Sequence, residues 1–280
     1  MTSDAPAGRP LDRYIARFDP FDRFLHFLLM ATFLGLALTG LPLLFSTHAW
    51  AAVLARVLGG FHVAALLHRI FAFGMLSCFA MHLARLAYRL VLRKDWGILW
   101  GPHSMVPQPR DVVQILQNFR WFLGRGPRPK FDRYAYWEKF DYWAVFWGMG
   151  IIGGSGLVLW FPKFFARFLP GTAFNLALLI HGEEALLAVC FIFTIHFFNS
   201  HLRPEKFPVD KVIFTGTVPE EELRHERPAE YERIAASGRL ERLASAAPTS
   251  ATLIWTRIST LVAVALGLAL VFLTILALLG

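Results

Sequence analysis

The sequence predicts an all-α membrane protein: a four-helix transmembrane bundle followed by a fifth, C-terminal transmembrane helix. Composition is the first reason, because the 280 residues are 56% hydrophobic and only 17% charged. Distribution is the second. The apolar residues gather into five runs, at 24–45, 61–91, 143–161, 174–198 and 258–279. Each is close to or beyond the ~20 residues that cross a hydrocarbon layer. Soluble domains of this size do not carry several such runs. The second run exceeds what a bilayer requires, so it tilts or projects.

Histidines placed inside these spans are the third observation. In the fourth, ALLIHGEEALLAVCFIFTIHFFNSH, His181 and His196 are fifteen residues apart. At ~100° and ~1.5 Å per residue the second lies within ~60° of the first and ~22 Å along the axis. The second span, FHVAALLHRIFAFGMLSCFAMHLARL, repeats the device with His68 and His82, fourteen residues apart and ~40° from alignment. Neutral ligands on one helix face near both sides of the layer suit two stacked haems. Zinc would instead call for ligands at short local spacings.

The first span adds His26 about one turn inside one face, with Gly40 fourteen residues on. That glycine lets either a flat ring or a neighbouring helix approach the backbone closely. Counted from the same face, His68 and His181 each lie about eight residues deep, ~12 Å, and pair at the outer level. His26, His82 and His196 compete for two places at the inner level. His201 lies deeper and faces ~140° away from His196.

Other polar groups gain meaning from this frame. Arg69 directly follows His68, and an arginine in apolar surroundings snorkels or finds an anion, for which a haem propionate serves. Arg85 and Arg89 read as snorkelling interface residues. Glu183 and Glu184 follow His181 and are expensive at that depth. They hydrogen-bond a haem ligand, accept a proton from quinol, or reach the nearby interface. The third span is dense in glycine from Gly148 to Gly156, which means close approach of a helix or of a porphyrin face. Cys78 and Cys190 form no CxxCH site, so covalent haem attachment is excluded, and they read as small buried hydrophobes.

The net charge of +8 reads as a topology signal, with membrane lipid rather than nucleic acid as its partner. Of 28 Lys and Arg, eleven lie between Arg85 and Lys139. The loops expected on the other side hold only Arg56, Lys163 and Arg167. Positive-inside bias puts the N-terminus and the basic loop in the cytoplasm and the C-terminus outside, the frame of a bacterial inner membrane. No cleavable signal is expected, because a polar stretch precedes the first span. The organisation is then a flexible cytoplasmic arm at 1–20, a core at 21–201 with a cytoplasmic loop at 94–140, a cytoplasmic segment at 202–250 and a fifth helix at 251–280. Within the loop, Val112, Val113, Leu116, Phe119 and Phe122 share one face of a short helix, predicting that it lies on the membrane surface.

Four stretches carry a family resemblance: RFLHFLLMATFLGLALTGLP, LHRIFAFGMLSCFAMH, FDRYAYWEKFDYWAVFWGMGIIGGSGLVLWFP and IHGEEALLAVCFIFTIHFFNSHLRPEKFP. The chain resembles the di-haem cytochrome b membrane subunits of formate dehydrogenases, nickel–iron hydrogenases and thiosulfate reductases. The resemblance implies an outer haem on His68 and His181 and an inner haem on His26 and His196. His82 and His201 are then left for propionates or a quinone site, with a third haem as the alternative. It further implies two haem b groups, quinone as substrate, and an iron–sulfur or multihaem c-type partner on the outer side. In this reading the chain is the quinone-reactive electron-transfer subunit of an oxidoreductase. The competing readings are a stand-alone quinol oxidase or ferric reductase, and a haem-free membrane anchor.

Overall fold

A computed structural model describes residues 13–279. The described residues are 74% helical and include five helices long and apolar enough to span a membrane: Pro20–Leu44, Phe61–Leu92, Tyr136–Trp160, Gly171–Leu202 and Ser250–Leu279. These are spans one to five below. They extend beyond the apolar runs because helical hydrogen bonding tolerates polar side chains that interrupt hydropathy. Span three thus starts at Tyr136 rather than 143, its first turn holding Glu138. The Glu138 carboxylate suits the positive end of the helix dipole and accepts the Ala135 N–H at 2.7 Å.

The chain divides into two units. One comprises 24–94, 140–210 and 258–279, and holds the body of all five spans. Its core joins Ala37 and Leu41 of span one, and Phe45 just after it, to Val189, Phe193 and Phe197 of span four and Leu270 of span five. A Cβ at Gly267 would come within 3 Å of the Phe193 and Phe197 rings, at 2.6 and 2.8 Å. Span five therefore packs into the bundle, and its glycine is what permits the close approach. Span two meets span one in the same way, with Phe71 against Gly35 and Gly74 against Thr32.

The other unit comprises 13–23, 95–139 and 211–257. Its centre is a three-stranded antiparallel sheet in which Tyr14–Ala16 lies between Thr217–Pro219 and Ala244–Ser245. Ile15, Val218 and Leu223 form its core. The described end of the expected arm is therefore a central strand rather than a flexible tether, whereas residues 1–12 lie outside the described residues. Strands of two or three residues are too short for alternation to reveal them.

Helix Pro109–Phe122 opens with proline in its first turn and a reciprocal cap between Gln108 and Asp111. Its polar side is the one that packs: Asp111 takes both its oxygens to the Lys139 ammonium at 2.8 Å, and Asn118 donates to the Tyr136 hydroxyl at 2.9 Å. Val112, Val113, Leu116, Phe119 and Phe122 are left exposed, the arrangement an interfacial helix needs.

In the same unit, Arg233 donates to Nε2 of His103 at 3.1 Å and to Asp132 at 2.6 Å. Burial, then the Arg233 and Arg133 cations, hold the His103 pKa below the ordinary histidine value. The unfolded chain therefore takes up this proton first, and folding stability falls as pH drops below the ordinary histidine range. Limited proteolysis of the full chain is expected to show this unit opening more readily at pH 5 than at pH 7. In His103→Gln that difference shrinks; an unchanged difference would remove the assignment.

Candidate functional site

His68 of span two and His181 of span four face each other with ring centres 6.3 Å apart and planes inclined at 82°. Each ring is held at Nδ1 by a neighbouring helix. The Thr39 hydroxyl lies 3.0 Å from His68 Nδ1 while giving its own proton to the Gly35 carbonyl at 2.7 Å. It therefore accepts from an Nδ1–H. His181 Nδ1 lies 3.0 Å from the Ile152 carbonyl, which can only accept. Both imidazoles thus carry their proton on Nδ1, leaving the Nε2 lone pair unprotonated.

At the other end of the spans, His196 sets its Nδ1 against the Asp141 carboxylate at 3.0 Å, again an acceptor that fixes the proton on Nδ1. His26 lies close enough to His196 and His201 to interact electrostatically with both. His82 and His201 are arranged differently. His82 Nε2 is engaged by the Tyr142 hydroxyl at 2.8 Å, with Phe146 beside the ring. His201 Nδ1 accepts the Asp210 N–H at 3.3 Å, so the neutral ring carries its proton on Nε2. Among the described residues no group of three or more His, Cys, Asp or Glu gathers as a metal cluster.

The unequal histidine spacings have a local explanation. Ile192–His196 is a π-turn, and an i→i+5 turn absorbs one extra residue. The fifteen residues from His181 to His196 therefore advance the helix by about as much as fourteen, the separation of His68 and His82. Span three has a π-turn at Met149–Gly153, and its Ile152 carbonyl is the one that meets His181. Such turns recur at functional positions.

Arg69 is exposed beside His68, and no ion pair to it occurs among the described residues. The two glutamates do not hold His181, whose Nδ1 is taken by span three. Glu184 instead accepts from the Trp147 indole N–H at 3.0 Å, and Glu183 is exposed. Sequence reasoning missed Asp141 and Tyr142, the consecutive pair that meets His196 and His82. The signal was present: Asp141 is a carboxylate at the mouth of a span, and such a residue calls for a function. It was hidden within the aromatic stretch FDYW.

No family model matches the chain. Over 178 residues, 63% of this chain and 73% of the relative, it is 21% identical to the cytochrome b556 subunit of nitrate-inducible formate dehydrogenase from Escherichia coli K12. The corresponding subunits of Escherichia coli O157:H7 and Shigella flexneri match equally. The chain is thus similar to a formate dehydrogenase cytochrome b subunit, which supports a membrane b-type cytochrome of that type. The histidines within the spans come from spans one, two and four, and the imidazoles with a bare Nε2 lie at two positions along them, His68 and His181 together and His196 towards the other end.

Proposed function

We propose that this cytochrome b carries electrons across the membrane through two b-type haems, each held by two histidines. One observation carries the reading: His68, His181 and His196 share an Nδ1–H donor arrangement that leaves Nε2 as a lone-pair ligand. Oriented imidazoles of this kind are what metal ligation requires. Metal–imidazole bonds of about 2 Å place two opposed ring centres roughly 6 Å apart, and the 6.3 Å separation of His68 and His181 fits. The residues present therefore fit haem.

His68 and His181 hold the outer haem, and His26 with His196 the inner one. His82 and His201, which meet Tyr142 through Nε2 and Asp210 through Nδ1, serve the propionates or a quinone site rather than a third iron. Arg69 pairs with a propionate of the outer haem. Bound haem supplies reversible one-electron chemistry, and the protein sets its potential through axial ligands, burial and nearby charge. Quinone is the membrane substrate, and an iron–sulfur or multihaem c-type protein is the outer-side partner. The chain sits in a bacterial inner membrane with its N-terminus in the cytoplasm. The apolar face of helix Pro109–Phe122 then meets the cytoplasmic lipid surface.

A dithionite-reduced visible spectrum with a haem-to-protein ratio tests the reading. A b-type α-band at about two haems per chain is expected; a colourless chain purified with its native pigments would end it. The quinone is placed at the inner level, near His26, His82, His196 and His201. Quinol-driven haem reduction is therefore expected to slow in His82→Phe and His201→Ala and to continue in Glu183→Gln and Glu184→Gln. Loss confined to the glutamate variants would move the site to the outer level.

A further inference from the structure

The two imidazoles at the outer level sit in matching seats built by different helices. On span one the seat is Leu36, Thr39 and Gly40; on span three it is Ile152, Ser155 and Gly156. The spacing is the same in both: a carbonyl, then three residues on a hydroxyl, then a glycine. The hydroxyls are fixed alike. Thr39 donates to the carbonyl four residues back, Gly35, at 2.7 Å, and reaches Leu36 at 3.3 Å. Ser155 donates to Ile151 at 2.7 Å and reaches Ile152 at 3.1 Å.

Each hydroxyl then faces Nδ1 of an imidazole from another span, Thr39 to His68 at 3.0 Å and Ser155 to His181 at 3.3 Å. The carbonyls take part as well: Ile152 accepts from His181 Nδ1 at 3.0 Å, and the Leu36 carbonyl lies 3.3 Å from the Thr39 hydroxyl that meets His68. The glycines complete the match. A Cβ on Gly40 would stand 2.9 Å from His68 Cε1 and 3.3 Å from Nδ1. On Gly156 the same atoms of His181 would be met at 3.0 and 3.3 Å. Any side chain there would displace the ring.

We propose that Thr39-Gly40 and Ser155-Gly156 are paired positioning dipeptides for the outer haem, fixing the rotation and the protonated nitrogen of both axial imidazoles and thereby tuning the reduction potential between them. The inference rests on the haem reading above and deepens it. Helix packing alone explains a glycine, but it does not explain why the preceding residue is in both cases a hydroxyl aimed at the same ring nitrogen. Hydrogen bonding at Nδ1–H raises the basicity of the ligating nitrogen, which favours the ferric state. Removing one acceptor therefore raises the potential.

The test uses the purified full chain with its haem. Thr39→Val keeps shape and loses the hydroxyl, whereas Thr39→Ser keeps the hydroxyl; Ser155→Ala and Ser155→Thr form the second pair. Redox titration is expected to show one of the two haem waves moved upward in Thr39→Val and in Ser155→Ala, with the hydroxyl-bearing variants titrating like the parent. Haem transfer to an apoprotein acceptor is expected to quicken about tenfold in the hydroxyl-free variants, the low end for loss of a ligand's supporting partner. Gly40→Ala and Gly156→Ala are expected to lose that same haem and keep the other. The proposal is overturned if Thr39→Val titrates like the parent, or if Thr39→Ser shifts as far as Thr39→Val. If instead the parent chain carries no haem, or His68→Ala keeps both, the haem reading itself falls.

Discussion

Replacing His68 or His181 by alanine is expected to lower the haem-to-protein ratio from about two to about one, and either change alone is as severe as both. The reason is geometric. The two rings lie 6.3 Å apart on different helices, so on the proposed reading each would be one side of a single site, and the surviving imidazole would be left as a lone ligand in an apolar bundle. Non-additivity is thus the signature of a shared centre. The measurement is the pyridine haemochrome content of single and double variants in the same membranes, with expression followed by immunoblot. Independent, summing losses would mean that the two histidines serve different groups.

The second large effect belongs to the other level. His26→Ala and His196→Ala are expected to remove the remaining haem, while His82→Phe and His201→Ala retain about two haems per chain. Tautomer and occupancy decide this. His196 gives Nδ1–H to Asp141 and keeps Nε2 bare. His82 Nε2 is already engaged by Tyr142, and the His201 lone pair is directed at the Asp210 N–H. Asp141→Asn preserves a hydrogen-bond acceptor but removes the carboxylate charge. It is expected to leave haem bound and to raise the inner potential, read as an upward shift of the wave that His68→Ala does not abolish. Should His82→Phe lose a haem while His26→Ala keeps both, the inner assignment passes to span two.

Much of this site was legible because of its chemistry. Histidine inside an apolar run is rare enough that position alone flags His26, His68, His82, His181 and His196, while the choice among the three at the inner level came only from the resemblance. Helical rise then sorts them by depth. Gly40 and the glycines of span three were legible only as close approach, since a missing Cβ does not say what fills its place. Packing answers differently for each: an imidazole ring lies on Gly40 and on Gly156, whereas a Cβ at Gly150 or Gly154 would meet nothing within 4 Å. Asp141 was hidden because a carboxylate amid Phe, Tyr and Trp at a span's mouth has an ordinary interfacial reading. Its partner lies 55 residues away.

The small sheet eluded the sequence for another reason. Tyr14–Ala16 joins segments more than 200 residues distant, as Ile15 pairs with Val218 and Ala244. Strands this short have no periodicity of their own and exist only by pairing.

The amino-acid order alone determined the all-α membrane class, the five spans and the place of each imidazole along its span, because hydropathy and helical rise are properties of consecutive residues. Only the tertiary structure decided which nitrogen of each ring is protonated, which helix supports it and that span five closes the bundle. Those follow from hydrogen bonds and contacts between helices, and no local pattern encodes the partner across the gap.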